Sequence, residues 1–235
     1  MSHTITTIAF DADDTLWHNE RFFKLTQARF ANLLDHYVDA PDLMGALLEA
    51  ERRNIRHYGF GIKGFVLSMI ETALDVTKNK VPTHVIAELI DAGKEMLEHP
   101  IELLPHAADA IDDARSRGKV LLITKGDLLD QERKVAQSGL GDVFDGVEIV
   151  SDKIPSVYAR IFTQHGTGAA QGMMIGNSMK SDVVPMIEAG GWGVYVPHGL
   201  HWDLEHAEPP THSAKYRTLS DLSALPALLD DLSSV

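Results

Sequence analysis

Residues 5–16 read ITTIAFDADDTL. The β-branched and apolar run over residues 5–10 ends abruptly at Asp11, the pattern of a buried strand whose C-terminal end opens onto a site. Asp11 and Asp13 follow, separated by a single residue. Two acids at the end of an apolar strand are costly without a purpose. Clustered anions also shift one another's pKa unless a cation lies between them. Hard oxygen ligands of this kind suit Mg²⁺, which binds one or two carboxylates together with a phosphate. Asp14, in the same turn, reads as solvated and structural, and Thr15 as a support of the turn.

Further short apolar runs follow at residues 120–123, 147–150, 173–175 and 193–196. Helical patterning precedes them over 107–117, 131–137 and 181–189, closed by Gly118, Gly139 and Gly190. Strand and helix in alternation with short glycine turns predict an α/β fold, a doubly wound parallel sheet. The alternation breaks once. Between Trp17 and Pro100 the apolar residues keep helical spacing, as in Phe22, Phe30, Leu47, Phe65, Met69, Leu89 and Met96, and predict about four helices. Pro41, residues 59–64 and Pro82 mark their turns. The expected organisation is a core of residues 1–17 and 104–235 with a helical cap domain inserted at 18–103. Residues 197–212 read as a surface loop and 219–232 as a closing helix.

Composition narrows the function. The 235 residues carry 21 Lys and Arg against 34 Asp and Glu, a formal charge of −13. Such a chain has no general attraction for nucleic acid or anionic membranes. It would repel a phosphorylated substrate unless a metal or a local cation inverted the field. With no cysteine, thiolate zinc sites and Cys nucleophiles are excluded. The start of the chain has neither a basic segment nor a long apolar one, so a cytoplasmic protein is expected.

In parallel sheets, ligands bind at the C-terminal strand ends. The second strand ends in Thr124-Lys125-Gly126, a hydroxyl before a glycine turn whose N–H groups can hold phosphoryl oxygens. Lys153 stands just after the third strand, a cation able to offset phosphoryl charge. The fourth strand runs into residues 176–182, GNSMKSD, which supply Asn177, Asp182 and a Ser178 placed to cap the next helix.

Taken in order, IAFDADDTL, LLITKGD, DKIPSVY and GNSMKSD resemble the four motifs of the haloacid dehalogenase (HAD)-like hydrolase superfamily, subfamily I with a helical C1-type cap. That resemblance implies a Rossmann-like core and a Mg²⁺-dependent phosphomonoester phosphatase. Asp11 would be the nucleophile that takes the phosphoryl group. Asp13 would protonate the leaving oxygen and then activate water. Thr124, Lys125 and Gly126 would bind substrate, and Lys153 would pair with Asp11 and the phosphate. Asp11, Asp13 through its carbonyl, and Asp182 would hold the metal. Many relatives carry Asp where Asn177 stands, so Asn177 is expected to bind metal directly or through water, with Asp182 as the direct ligand.

The cap's glycine-rich segment 58–64 is expected to read substrate, with Lys63 touching it. A capped site suits a small phosphorylated metabolite, and a monomer or homodimer is expected. The alternatives are a 2-haloacid dehalogenase, a phosphomutase, or a receiver-like phospho-acceptor without turnover. Asp13 argues against the first, and chain length against the last. The 12 histidines include no HExxH, and His198, His201 and His206 fall in the irregular stretch, where exposure is expected. Within it, His201 or Trp202 would border the site.

Overall fold

The computed structural model describes residues 5–200 and 202–233, so His201 lies outside the described residues. The chain divides into two compact units, Met1–His18 with Ile101–Lys125 and Gln131–Val235, and Asn19–Pro100 with Gly126–Asp130.

The first unit is built on six parallel strands, β1 (Thr7–Phe10), β2 (Lys119–Lys125), β3 (Gly146–Val150), β4 (Gly172–Gly176), β5 (Trp192–Tyr195) and β6 (Tyr216–Thr218). Their order is β3-β2-β1-β4-β5-β6. Thr7 is in register with Lys119 on one side and Gly172 on the other. From β1 the sheet therefore grows in both directions, and the end of β1 is the point where strand order reverses. Asp11 N donates to Ile175 O at 2.8 Å, which carries the ladder one residue past β1 and fixes Asp11 there.

The second unit contains α1 (Glu20–Leu34), α2 (Ala40–Tyr58), α3 (Ile62–Val76) and α4 (Thr83–Glu98). Phe30, Leu43, Leu47, Phe65, Met69 and Leu89 bury themselves in its own apolar core. Pro41 lies in the first turn of α2 rather than between helices, where its missing N–H costs nothing. Gly64 falls inside α3, where a Cβ would meet Gly59 O at 2.9 Å.

In the first unit, α5 (Ala107–Arg115) and α9 (Leu225–Ser233) pack with Ile8, Phe10 and Ile175, while α7 (Pro155–His165) packs with Ala9, Leu121 and Ile123. That is the period-2 alternation of a strand buried on both faces. The α6 helix (Leu128–Ser138) follows β2, and α8 (Val184–Glu188) continues a π turn at Met179–Val183. The Trp17–Leu103 bridge and the His18 N–Glu102 O bond at 3.0 Å tie both insert junctions to the sheet unit.

Two stretches differ from expectation. β6 is a three-residue edge strand, YRT, with no apolar run to announce it. The stretch after β5 is not merely surface: it contains a single 3₁₀ turn, Asp203–Glu205, whose Leu204 is buried. Among the described residues, no helix is long and apolar enough to cross a membrane.

Candidate active site

The chain leaves β1 through a tight turn. Ala12 O accepts from Thr15 N, Leu16 N and Trp17 N, and Asp14 N donates to Trp17 O at 2.7 Å. Asp14 sits at φ 61, in the left-handed region that Asp tolerates better than most residues. It is buried rather than solvated.

Within this turn Asp11, Thr15, Lys153, Asp182 and Asn177 come together. Lys153 Nζ donates to Asp11 Oδ1 at 2.5 Å and to Asp182 Oδ1 at 2.7 Å, and all three side chains are buried. Asp182 Oδ2 accepts Ser178 N at 2.9 Å, so both oxygens of Asp182 are engaged. The approach is close enough to require Gly176, where a Cβ would lie 2.2 Å from Asp182 Oδ2. Burial pushes the Asp11 carboxyl up to about 7; Lys153 opposes this, and the charges of Asp182 and Asp13 reinforce it. Burial lowers Lys153, but the two carboxylates that face it more than reverse this and hold its proton firmly. With both carboxylates ionised, the row of two carboxylates and one ammonium carries a net charge of −1.

The other oxygen of Asp11 faces a cluster of oxygens. Thr15 Oγ1 donates to Asp11 Oδ2 at 3.1 Å and accepts Asn177 N at 3.0 Å. With its amide nitrogen inward, Asn177 donates to Asp11 Oδ2 and to Asp13 O, both at 3.2 Å. With its oxygen inward, the same position sets three oxygens against one another. In that orientation Thr15 Oγ1 donates to Asn177 Oδ1 at 3.3 Å, and the hard oxygen atoms of Asp11, Asp13 O and Asn177 are of the type that Mg²⁺ takes.

Asp13 turns its carboxylate away from this cluster. Its Oδ1 accepts Trp17 Nε1 at 2.7 Å, its Oδ2 accepts Gln131 Nε2 at 2.9 Å, and Lys134 Nζ bonds both oxygens at 3.0 Å. Burial would raise this carboxyl, but the Lys134 charge and the three donors outweigh it and hold it below the usual range. Asp13 is thus an ionised, pinned carboxylate. Trp17, Gln131 and Lys134 are not singled out by any sequence motif.

At the end of β2, Thr124 Oγ1 donates to Gln131 Oε1 at 3.2 Å, while Gly126 adopts φ 152, which side-chain-bearing residues avoid. Lys125 Nζ donates to Ser181 Oγ at 2.7 Å and to Glu205 Oε1 at 2.6 Å. Glu205 Oε2 also accepts Ser178 Oγ at 2.6 Å and the Ser181 hydroxyl. This network joins β2 to the π turn after β4, and Ser178 Oγ caps that turn by accepting Ser181 N at 3.0 Å. Tyr158 OH donates to Ser181 O at 2.8 Å. Lys63 lies in α3, largely exposed, with its Nζ 3.0 Å from both oxygens of Asp127.

The model of one protein family, described as haloacid dehalogenase-like hydrolase, matches residues 5–190. The chain belongs to the HAD-like hydrolases. A HAD-like family hydrolase from Xanthomonas campestris is 37% identical, with a TM-score of 0.87 over 98% of this chain and 93% of that one. A HAD hydrolase from Bacillus subtilis, described as bound to magnesium, is 17% identical, with a TM-score of 0.64 over 96% of this chain and 98% of the other. L-2-haloacid dehalogenase from Xanthobacter autotrophicus is 18% identical, with a TM-score of 0.66 over 96% and 98%. At those lower identities the likeness is one of fold. No curated protein matches the chain significantly.

This HAD-like hydrolase contains one feature that its sequence hides, the Lys125–Glu205 pair. Glu205 lies 80 residues from Lys125 in an irregular stretch. The only local hint is the apolar Leu204 beside it.

Proposed function

We propose that this HAD-like hydrolase is a Mg²⁺-dependent phosphomonoester phosphatase acting on a small phosphorylated metabolite. The observation that carries the reading is the convergence of Asp11 Oδ2, the Asp13 carbonyl and the Asn177 amide, whose oxygen can turn inward, beside the buried Asp11–Lys153–Asp182 row. Asp11, the Asp13 carbonyl and Asn177 would hold Mg²⁺, with Asp182 acting through Lys153. The metal, when bound, neutralises phosphoryl charge and keeps Asp11 ionised.

The chain's own residues divide the work. Asp11, fixed by Ile175 O and Thr15, attacks phosphorus and becomes the aspartyl-phosphate. Lys153 orients Asp11 and offsets charge on the transferring group. The Gly126 N–H and the Thr124 hydroxyl bind phosphoryl oxygens once Thr124 turns from Gln131. Asp13 in its acid form gives the leaving oxygen its proton as the ester P–O bond breaks; ionised and pinned afterwards, it takes the proton of the water that opens the intermediate.

A second reading has one observation in its favour. Asp13 is committed to Lys134, Trp17 and Gln131, and a halide leaves without a proton, so the Asp11–Lys153–Asp182 row would also suit a 2-haloacid dehalogenase. A panel of small phosphomonoesters and 2-haloacids, assayed for phosphate and halide release with Mg²⁺ or EDTA, separates the two. Phosphate release that requires Mg²⁺ and disappears in Asp11→Asn supports the phosphatase. Halide release indifferent to EDTA supports the dehalogenase and removes the phosphatase.

A further inference from the structure

Beside the catalytic carboxylates lies a second group of side chains with different chemistry. Asp14, His18 and His198 each offer one ligand atom, and these atoms all lie within 4.8 Å of one another. All three belong to the sheet unit. Asp14 is buried, and both histidines are partly buried. His18 and His198 approach edge to face, with ring centroids 6.1 Å apart.

The tautomer of His198 is fixed by its own loop. Its Nδ1 lies 3.0 Å from Leu200 O, and a carbonyl can only accept, so Nδ1 carries the hydrogen. In the neutral ring Nε2 then presents a lone pair, and this nitrogen is 3.6 Å from Asp14 Oδ1. Both are ligand-type atoms, and a metal ion between them would accept both lone pairs. An Nδ1–H donated to a backbone carbonyl is the outer-shell arrangement that orients a metal-binding imidazole. Ligands about 2.0–2.1 Å from a tetrahedral ion stand about 3.4 Å apart, close to the 3.6 Å between His198 Nε2 and Asp14 Oδ1, with the third ligand atom within 4.8 Å of both. The left-handed backbone at Asp14 brings this carboxylate to the cluster directly after Asp13.

The geometry points to a transition-metal site at Asp14, His18 and His198, of the Zn²⁺, Co²⁺ or Ni²⁺ class, separate from the Mg²⁺ ligands. Two imidazoles and one carboxylate favour these ions over Mg²⁺, which prefers oxygen. Three protein ligands of this kind take a water as the fourth. A metal here fastens the turn after β1 to the loop after β5, and it stabilises the folded chain by mass action.

Zn²⁺ titrated calorimetrically into the full chain, with Mg²⁺ saturating, tests the site without any activity assay. One Zn²⁺ per chain is expected, accompanied by a rise in the thermal midpoint. His198→Gln and, independently, His18→Gln should each weaken that binding at least tenfold and abolish the rise, while melting like wild type without zinc. Equal stoichiometry and affinity in wild type and both variants would overturn the assignment, as would no binding in wild type. Anomalous scattering from a Zn²⁺-soaked crystal should place the ion on these three side chains. An ion found only elsewhere contradicts the site.

Discussion

Asn177 presents an amide where a second acid would add a full negative charge to Asp11. Asn177→Asp is therefore expected to lower the Mg²⁺ concentration for half-maximal activity by about tenfold, by Coulomb attraction at close range. Asn177→Leu should raise it. A Mg²⁺ titration of turnover in both variants checks the sign, and an unchanged value in both would remove Asn177 from the metal site. Lys153 bears on stability as well as chemistry. Lys153→Met leaves Asp11 and Asp182 buried against each other, a loss of about 3–5 kcal/mol, measurable by urea unfolding. Asp11, Asp13, Lys153 and Asp182 are legible in the sequence because each follows a strand within a short ordered motif, Asp11 and Asp13 directly after β1, Lys153 three residues after β3 and Asp182 in the π turn after β4. The partners of Asp13 are not. Gln131 and Lys134 lie on α6, more than 100 residues away, and no short-range pattern says which α6 residues meet the β1 turn.

Elements that close late in the chain carry more of the site than their sequence suggests. The 3₁₀ turn Asp203–Glu205 delivers Glu205 to Lys125, Ser178 and Ser181. Burial would raise the Glu205 carboxyl, but the Lys125 charge and these hydrogen bonds hold it below its usual value of 4.5. Because the folded value is the lower one, the pair stabilises the protein above that usual value and loses its effect as pH falls through the folded value. Glu205→Gln should cost about 1–3 kcal/mol at neutral pH, and the gap from wild type should close in acid. Urea unfolding at both pH values tests this; a constant gap would contradict the assigned ionisation. At α3, Lys63→Ala removes the partner of Asp127, whose Oδ1 accepts Asp130 N at 3.2 Å in the first turn of α6. The expected result is a higher KM for the best substrate with kcat largely kept, and an unchanged KM would end the substrate role of Lys63.

At the scale of the molecule, each unit has its own apolar core, one around Ile8, Phe10 and Ile175 and another around Leu47, Phe65 and Met69. Four helices were readable because apolar residues at helical spacing need a common interior, and five strands because they are short apolar runs, buried on both faces at β1 and β4 and only partly at the edge strand β3. β6 escaped because an edge strand buries little and reads as loop. The His198 cluster escaped because Asp14 and His18 meet it only through the loop after β5. The proposed phosphatase chemistry requires the Asp11 carboxylate to take the phosphoryl group. The direct measurement is an acid-quenched single turnover with p-nitrophenyl phosphate and Mg²⁺, followed by peptide mapping by mass spectrometry. A phosphoryl group on Asp11 that is absent with EDTA is expected; phosphate release at full rate with no label on Asp11, or with label on another residue, would exclude Asp11 as the nucleophile.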